Sequence, residues 1–387
     1  MIYRDFQNIK LSALGFGAMR LPVIDGDDSR VDEAAAVSMV DTAMAAGINY
    51  YDTAWGYHDG NSELVIGKAL AKYPRDSFYL ATKFPGYDPS NWGKVEEIFN
   101  SQLEKLQTDH FDFYLFHNVC EMNIDAYLDD EKYGIFSYLI KQKQNGRIRH
   151  LGFSCHGSME VLTRFLEAYG KDMEFCQLQL NYLDWTFQSG REKVELLDKW
   201  GIPVWVMEPL RGGKLAKLDP GSEAELKALR PDETVPGWAF RFLQSIPSVK
   251  MILSGMSNSE QLEQNLKTFE TDRPLSDDEM KALLGIAKRM LSAGTVPCTA
   301  CHYCVSHCPQ GLDIPHLISL YNEHVYTGGG FIAPMALGAL PDEKSPRPAC
   351  SAEAANRSAR SKSRSPRYWL ISPQGSDITT TYTERLS

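Results

Sequence analysis

The chain has 387 residues, enough for one large domain with a small companion or for two to three average domains. Apolar residues make up 43% of it, so a sizeable core can form, and the net charge of −10 argues against a nucleic-acid partner. The opening MIYRDFQNIK holds no secretory core and no stretch is long and apolar enough to span a bilayer, so a cytoplasmic location away from membranes is expected.

In chain order, YRDFQNIKLSALGFG reads as a short hairpin able to plug the floor of a barrel. Eight apolar runs follow between residue 14 and about 253: LGFGAM, INYYD, FYLATK, FDFYLFH, HLGFS, FCQLQLN, IPVWVME and VKMILSG. Segments of helical periodicity, such as VDEAAAVSMVDTAMAAG and KVEEIFNSQLEKLQ, lie between most of them. Alternating strands and helices imply a parallel sheet with right-handed crossovers. Eight units in roughly 250 residues is the size of a (β/α)8 barrel. An open doubly wound sheet would carry G-x-G-x-x-G after its first strand, and the chain has none. Two more helical patterns fall near 258–270 and 276–291. The sequence AGTVP at 293–297 then breaks the helix and sets a domain boundary, giving a barrel over 1–292, a small domain over 293–340 and a tail over 341–387. The tail is rich in Ser, Arg and Pro and is expected to be disordered.

Barrel chemistry sits where strands end. The second run ends at Asp52, with Tyr57 just beyond in DTAWGYHDG; the third ends at Lys83 and the fourth at His117. An ammonium beside a phenol stabilises the phenolate and lowers its pKa, and a carboxylate holds the ammonium in place. A histidine beside them can hydrogen-bond a carbonyl. Four complementary groups at neighbouring loop starts form a proton-transfer constellation.

The small domain opens on CTACHYCVSHCP. Cys298, Cys301, Cys304 and Cys308 stand two, two and three residues apart, with Pro309 after the last, which is the bacterial ferredoxin run that holds a [4Fe–4S] cluster. Zinc ribbons split their cysteines into two distant pairs, and a disulfide knot does not suit a reducing compartment. Cys120, Cys155 and Cys176 are scattered singly and read as small buried hydrophobes.

The stretches LGFGAMR, GINYYDTAWGYHDGNSELVIGKAL, LATKF, DFYLFHN, GRIRHLGFS, QLQLNYLD and EPLRGGKL strongly resemble the aldo-keto reductase family over residues 3 to 270. The resemblance implies a (β/α)8 barrel that binds NADP or NAD without a Rossmann fold and reduces a small carbonyl to an alcohol. It makes Tyr57 the general acid, tuned by Lys83 and Asp52, with His117 orienting the carbonyl. It places Ser154, Gln177 and Asn181 near the nicotinamide, where Cys155 and His156 replace the family's asparagine after the serine. Met207 takes the place of a stacking aromatic. The loop with Leu210, Arg211, Gly212 and Gly213 passes under the pyrophosphate. Gly255, Gln261 and Asn265 lie toward the adenosine, and Gly255 and Gln261 stand where NADP-specific members carry Lys and Arg. The alternative is a nicotinamide-sensing regulatory protein with little turnover.

CPQGLDIPHLI continues as ferredoxin-type domains do, so the chain resembles the subgroup of that family with a C-terminal iron–sulfur domain. Nicotinamide gives two electrons as hydride, a cluster takes one at a time, and no flavin motif mediates. Two roles stay open for the cluster: exchange with an external one-electron carrier, or a structural or redox-sensing part. A second cysteine run is expected after Cys308. It starts at Cys350 and fails, yet Ala352, Ala355 and Ala359 are spaced as its next cysteines. Were codons 351, 354 and 358 to end in T, the frame beginning at the third base would read as a complete ferredoxin run followed by a helix. The sequence from Ser351 onward is thus expected to be a frameshifted remnant of a second cluster motif.

Overall fold

The structure is a computed structural model that describes residues 1–292, 295–296, 298, 304–305, 308, 310–330, 332–341 and 344. Two compact units divide at residue 287, inside the helix Asp277–Ser292.

The first unit opens on an antiparallel hairpin, β1 (Tyr3–Phe6) and β2 (Ile9–Ser12). Eight parallel strands then close a barrel: β3 (Leu14–Gly17), β4 (Tyr50–Asp52), β5 (Tyr79–Phe84), β6 (Phe111–Val119), β7 (Ile148–Cys155), β8 (Cys176–Gln179), β9 (Val204–Met207) and β10 (Val249–Gly255). They pair in chain order, and β10 returns to β3. Each coincides with one of the eight apolar runs. Strands this apolar are what a sheet covered on both faces requires.

The hairpin closes the lower end. Phe6 is buried among Tyr50, Phe113, Phe175 and Trp205, with its ring edge-on to Trp205 at 4.9 Å between centroids. Edge-to-face pairs of this kind add to the apolar burial. Gly152 on β7 is required by packing: a Cβ there would stand 2.5 Å from the Phe175 ring and its carbonyl oxygen. Cys120, Cys155 and Cys176 are buried, as small hydrophobes should be.

In the second unit the helix Ile314–Thr327 is capped by Asp313, whose side chain accepts from the His316 N–H, and ends at Gly328 with φ 65°. It packs with the helix Ile332–Gly338 through Leu320, Ala333 and Ala336. Leu312, Ile314 and Leu317 form a second small cluster, against which Cys304 and Cys308 lie. Cys301, Pro309 and the expected remnant from Ser351 onward lie outside the described residues. No described helix is long and apolar enough to cross a membrane.

Candidate active site

Register brings the strand ends together. Asp52 ends β4 beside Ala81 of β5, and Lys83 of β5 stands beside Leu115 of β6, two residues before His117. Lys83 is fully buried. Its Nζ donates to Asp52 Oδ1 at 2.7 Å and to the Thr53 carbonyl oxygen at 2.7 Å. The Tyr57 ring centroid lies 5.0 Å from this Nζ, near enough for the ammonium to act on the phenol electrostatically. The ion pair and the carbonyl bond compensate the burial of the ammonium. The Tyr57 ring meets His117 edge-on at 6.0 Å. The structure thus unites the four strand-end groups of the sequence analysis.

The electrostatics differ from expectation in one respect. Burial raises the Tyr57 pKa above its ordinary value of 10; Lys83 pulls it down, Asp52 pushes it up again, and the balance is upward. The ammonium therefore offsets only part of the desolvation, and the group is a neutral phenol at pH 7. Burial pushes Lys83 down, but Asp52 and Tyr57 outweigh it and hold the ammonium charged. His117 is held well below the usual histidine value by burial, then by Lys83 and His156, so it is a neutral imidazole.

Tyr87, beyond β5, escaped the sequence analysis. Its ring meets His117 edge-on at 5.2 Å, and a Cβ on Gly56 would stand 2.3 Å from its hydroxyl. The available signal was an aromatic on the loop that Lys83 begins.

Around the other half of the barrel mouth, Ser154 Oγ accepts the Asn118 N–H at 2.7 Å. Gln177 Nε2 points at the Met207 sulfur, 3.9 Å away, and its Oε1 is buried without a hydrogen-bond partner. An orphaned amide oxygen at this place fits a carboxamide N–H such as nicotinamide carries. Asn181 is committed internally. Its oxygen accepts from the Leu183 and Asp184 N–H groups, and its nitrogen donates to Asp184 Oδ2 and to the Glu208 carbonyl oxygen. Arg211, at φ 48°, turns its guanidinium onto buried Asp184 at 3.0 Å. Asp184 also accepts from Gln179 Nε2, whose oxygen faces His156 Nδ1 at 3.0 Å. Asp184 was not singled out in the sequence, because an aspartate after LNYL looks like any helix start. Burial pulls His156 down to about 4, although Gln179 pulls it up.

The Leu210 carbonyl oxygen accepts the Gly213 N–H, and Gly213, at φ 92°, has open space where a side chain would stand. Arg20, from the turn after β3, spans toward both glycine loops. Its side chain lies within 2.8 Å of a Cβ built on Gly255 and 3.6 Å of one built on Gly212. Gln261 caps the next turn by accepting the Ser257 N–H, and Asn265 donates to Ser254 Oγ at 3.1 Å. Open backbone, a guanidinium and an orphaned amide oxygen suit an extended anionic dinucleotide.

The family model for the aldo/keto reductase family matches residues 13–288. The chain belongs to the aldo/keto reductase family. It is an NAD(P)-dependent oxidoreductase of that type. Among curated relatives, an uncharacterized oxidoreductase of Bacillus subtilis is 26% identical over 73% of this chain and 94% of its own length. The NADH-specific methylglyoxal reductase of Escherichia coli is 24% identical over 73% of this chain and 97% of its own length. The holo form of an aldo-keto reductase from Bacillus halodurans superposes with a TM-score of 0.60 at 26% identity, covering 74% of this chain and 96% of that one.

In the second unit, Cys308 Sγ accepts the Leu312 N–H at 3.4 Å. Cys298 is exposed, and Cys304 is half-buried. Among the described residues no three metal-binding side chains cluster.

Proposed function

We propose that the barrel reduces a small aldehyde or ketone to the alcohol, with Tyr57 delivering the proton. The observation that carries this reading is the buried Lys83 ammonium, bonded to Asp52 and Thr53 and lying 5.0 Å from the Tyr57 ring centroid. A nicotinamide dinucleotide held here in its reduced form, NADPH or NADH, would supply the hydride chemistry at the carbonyl carbon. The Tyr57 hydroxyl gives its proton to the carbonyl oxygen, so one hydride and one proton, in sum two electrons and two protons, make the alcohol. Lys83 stabilises the phenolate left behind, and Asp52 keeps Lys83 in place. Neutral His117 offers its ring as a hydrogen-bond partner to the carbonyl, and Tyr87 buttresses that ring. Gln177 Oε1 would receive the nicotinamide carboxamide, while Ser154 and Met207 line the same side. Gly213, Gly255 and Arg20 would hold the pyrophosphate and adenosine parts.

The second unit, in this reading, holds a [4Fe–4S] cluster through Cys298, Cys301, Cys304 and Cys308. Backbone N–H donors to cysteine sulfur, of the kind Leu312 gives Cys308, are among the features that set cluster potential. Such a cluster would serve one-electron exchange with an external carrier. The test is oxidation of NADH and NADPH by full-length, anaerobically prepared protein with aldehydes, ketones and dicarbonyls, methylglyoxal included. Turnover with at least one supports the reading. Tight dinucleotide binding with no turnover on any of them overturns it in favour of a nicotinamide sensor.

A further inference from the structure

The backbone directly behind Tyr57 is unusual. His58 and Asp59 both lie in the left-handed region, at φ 53° and 52°, and Gly60 continues it at φ 88°. A run of three such residues, two of them not glycine, persists only when its surroundings hold it. The His58 ring supplies the hold. It is buried, and its Nε2 accepts the Leu21 N–H at 3.1 Å. That bond fixes the proton on Nδ1, which faces the Asp28 carbonyl oxygen at 2.9 Å and the Asp28 carboxylate at 3.1 Å. Two neighbours reinforce the seam: Asn61 Nδ2 donates to the Ser29 carbonyl oxygen, and Ser62 Oγ to that of Ala18.

We propose that His58 is a positioning residue for Tyr57, its ring clipping the loop 21–28 to the left-handed turn and so holding the Tyr57 hydroxyl at Lys83. The inference rests on the reductase reading in making that hydroxyl the proton donor. The clip itself is a matter of geometry. His58 touches neither Lys83 nor His117 in any hydrogen bond of the structure, and it acts on the chemistry through the adjoining peptide alone. A proton donor must stand within hydrogen-bond reach of its acceptor, and small misplacements are costly in rate.

The experiment uses full-length protein and His58→Gly. Glycine takes φ 53° without strain, so this change removes the ring and leaves the backbone permitted. The expected result is a fall in kcat of about 10- to 100-fold. The KM for the carbonyl and the dinucleotide Kd should stay within about threefold of wild type, since the ring contacts neither site. Added imidazole should restore part of the rate. So should His58→Asn, which tolerates a left-handed backbone and keeps a donor and an acceptor. Wild-type kcat in His58→Gly overturns the proposal, as does a loss shared by KM and Kd without response to imidazole. Should the glycine variant fail to fold by circular dichroism, His58→Asn takes its place, with a partial loss of kcat at unchanged KM and Kd expected and a loss shared by KM and Kd overturning the proposal.

A second readout needs no turnover. With tyrosine labelled at Cζ, the Tyr57 resonance, assigned by its absence in Tyr57→Phe, should titrate at higher pH in His58→Gly as contact with Lys83 loosens. An unmoved titration overturns the clip. Failure of the wild type to reduce any carbonyl instead sinks the reductase reading, and the titration still decides the role of His58.

Discussion

Lys83 shows how a single buried cation organises a site. Asp52 and Thr53 hold its Nζ, so its charge lies beside the Tyr57 phenol. In the proposed reading Tyr57→Phe deletes only the proton donor. It should lower kcat by about 10²- to 10⁴-fold with the dinucleotide Kd unchanged, as fluorescence titration would show; retained turnover would refute the assignment. The histidines carry a second prediction. Burial holds His117 and His156 below the ordinary 6.5, His156 at about 4. Between those values the unfolded chain binds more protons than the folded one, so stability is full above about 6.5 and falls as pH falls toward 4. Glu279, held at about 2 chiefly by its hydrogen bond from Arg230, titrates below this window. Urea midpoints should therefore drop from pH 7 to pH 5. His156→Asn should flatten the slope, by at most ~1.4 kcal/mol per pH unit; identical slopes would show that His156 does not stay neutral in the fold.

At the scale of elements, loops do the positioning and strands fix their starting points. The segment between β8 and the loop after β9 is tied by one buried carboxylate, Asp184, which meets Arg211, Asn181 and Gln179 at once. Removing one partner of such a pair leaves an uncompensated buried charge. Asp184→Ala should therefore cost about 3 kcal/mol or more in urea unfolding and also weaken dinucleotide binding. A loss of stability without loss of affinity would confine Asp184 to folding. The hairpin offers a contrast, because Phe6 seals the end opposite the site. Phe6→Ala should cost about 3 kcal/mol through the cavity it leaves, while kcat in the absence of denaturant stays near wild type.

For the whole molecule, two units with separate cores should respond separately. Cys308→Ala should lower the iron content of anaerobically prepared protein and leave the barrel's circular dichroism unchanged. Loss of the barrel signal would show that the two cores are coupled. The wild-type chain should hold at most about four irons, bound labilely, because the expected second run fails after Cys350; a stable complement near eight would refute the frameshift reading. The gene tests it directly, since a base other than T ending codon 351, 354 or 358 rules out that frame.

The sequence by itself determined the barrel and marked the polar residues at its strand ends. Eight apolar runs, each a strand buried on both faces, leave little choice of sheet, and the polar residues that close them, Asp52, Lys83 and His117, fall where chemistry is done. Local pattern carries such information because a strand end is defined by its own residues. Tertiary structure alone decided the direction of the Tyr57 pKa, since desolvation depends on what packs around a group and not on its neighbours in the chain. It also decided that Arg211 faces Asp184, that Asn181 reaches the Glu208 carbonyl oxygen, and that Arg20 spans toward Gly212 and Gly255. Each of those contacts joins segments far apart in the chain, and only closure of the barrel brings them within reach of one another.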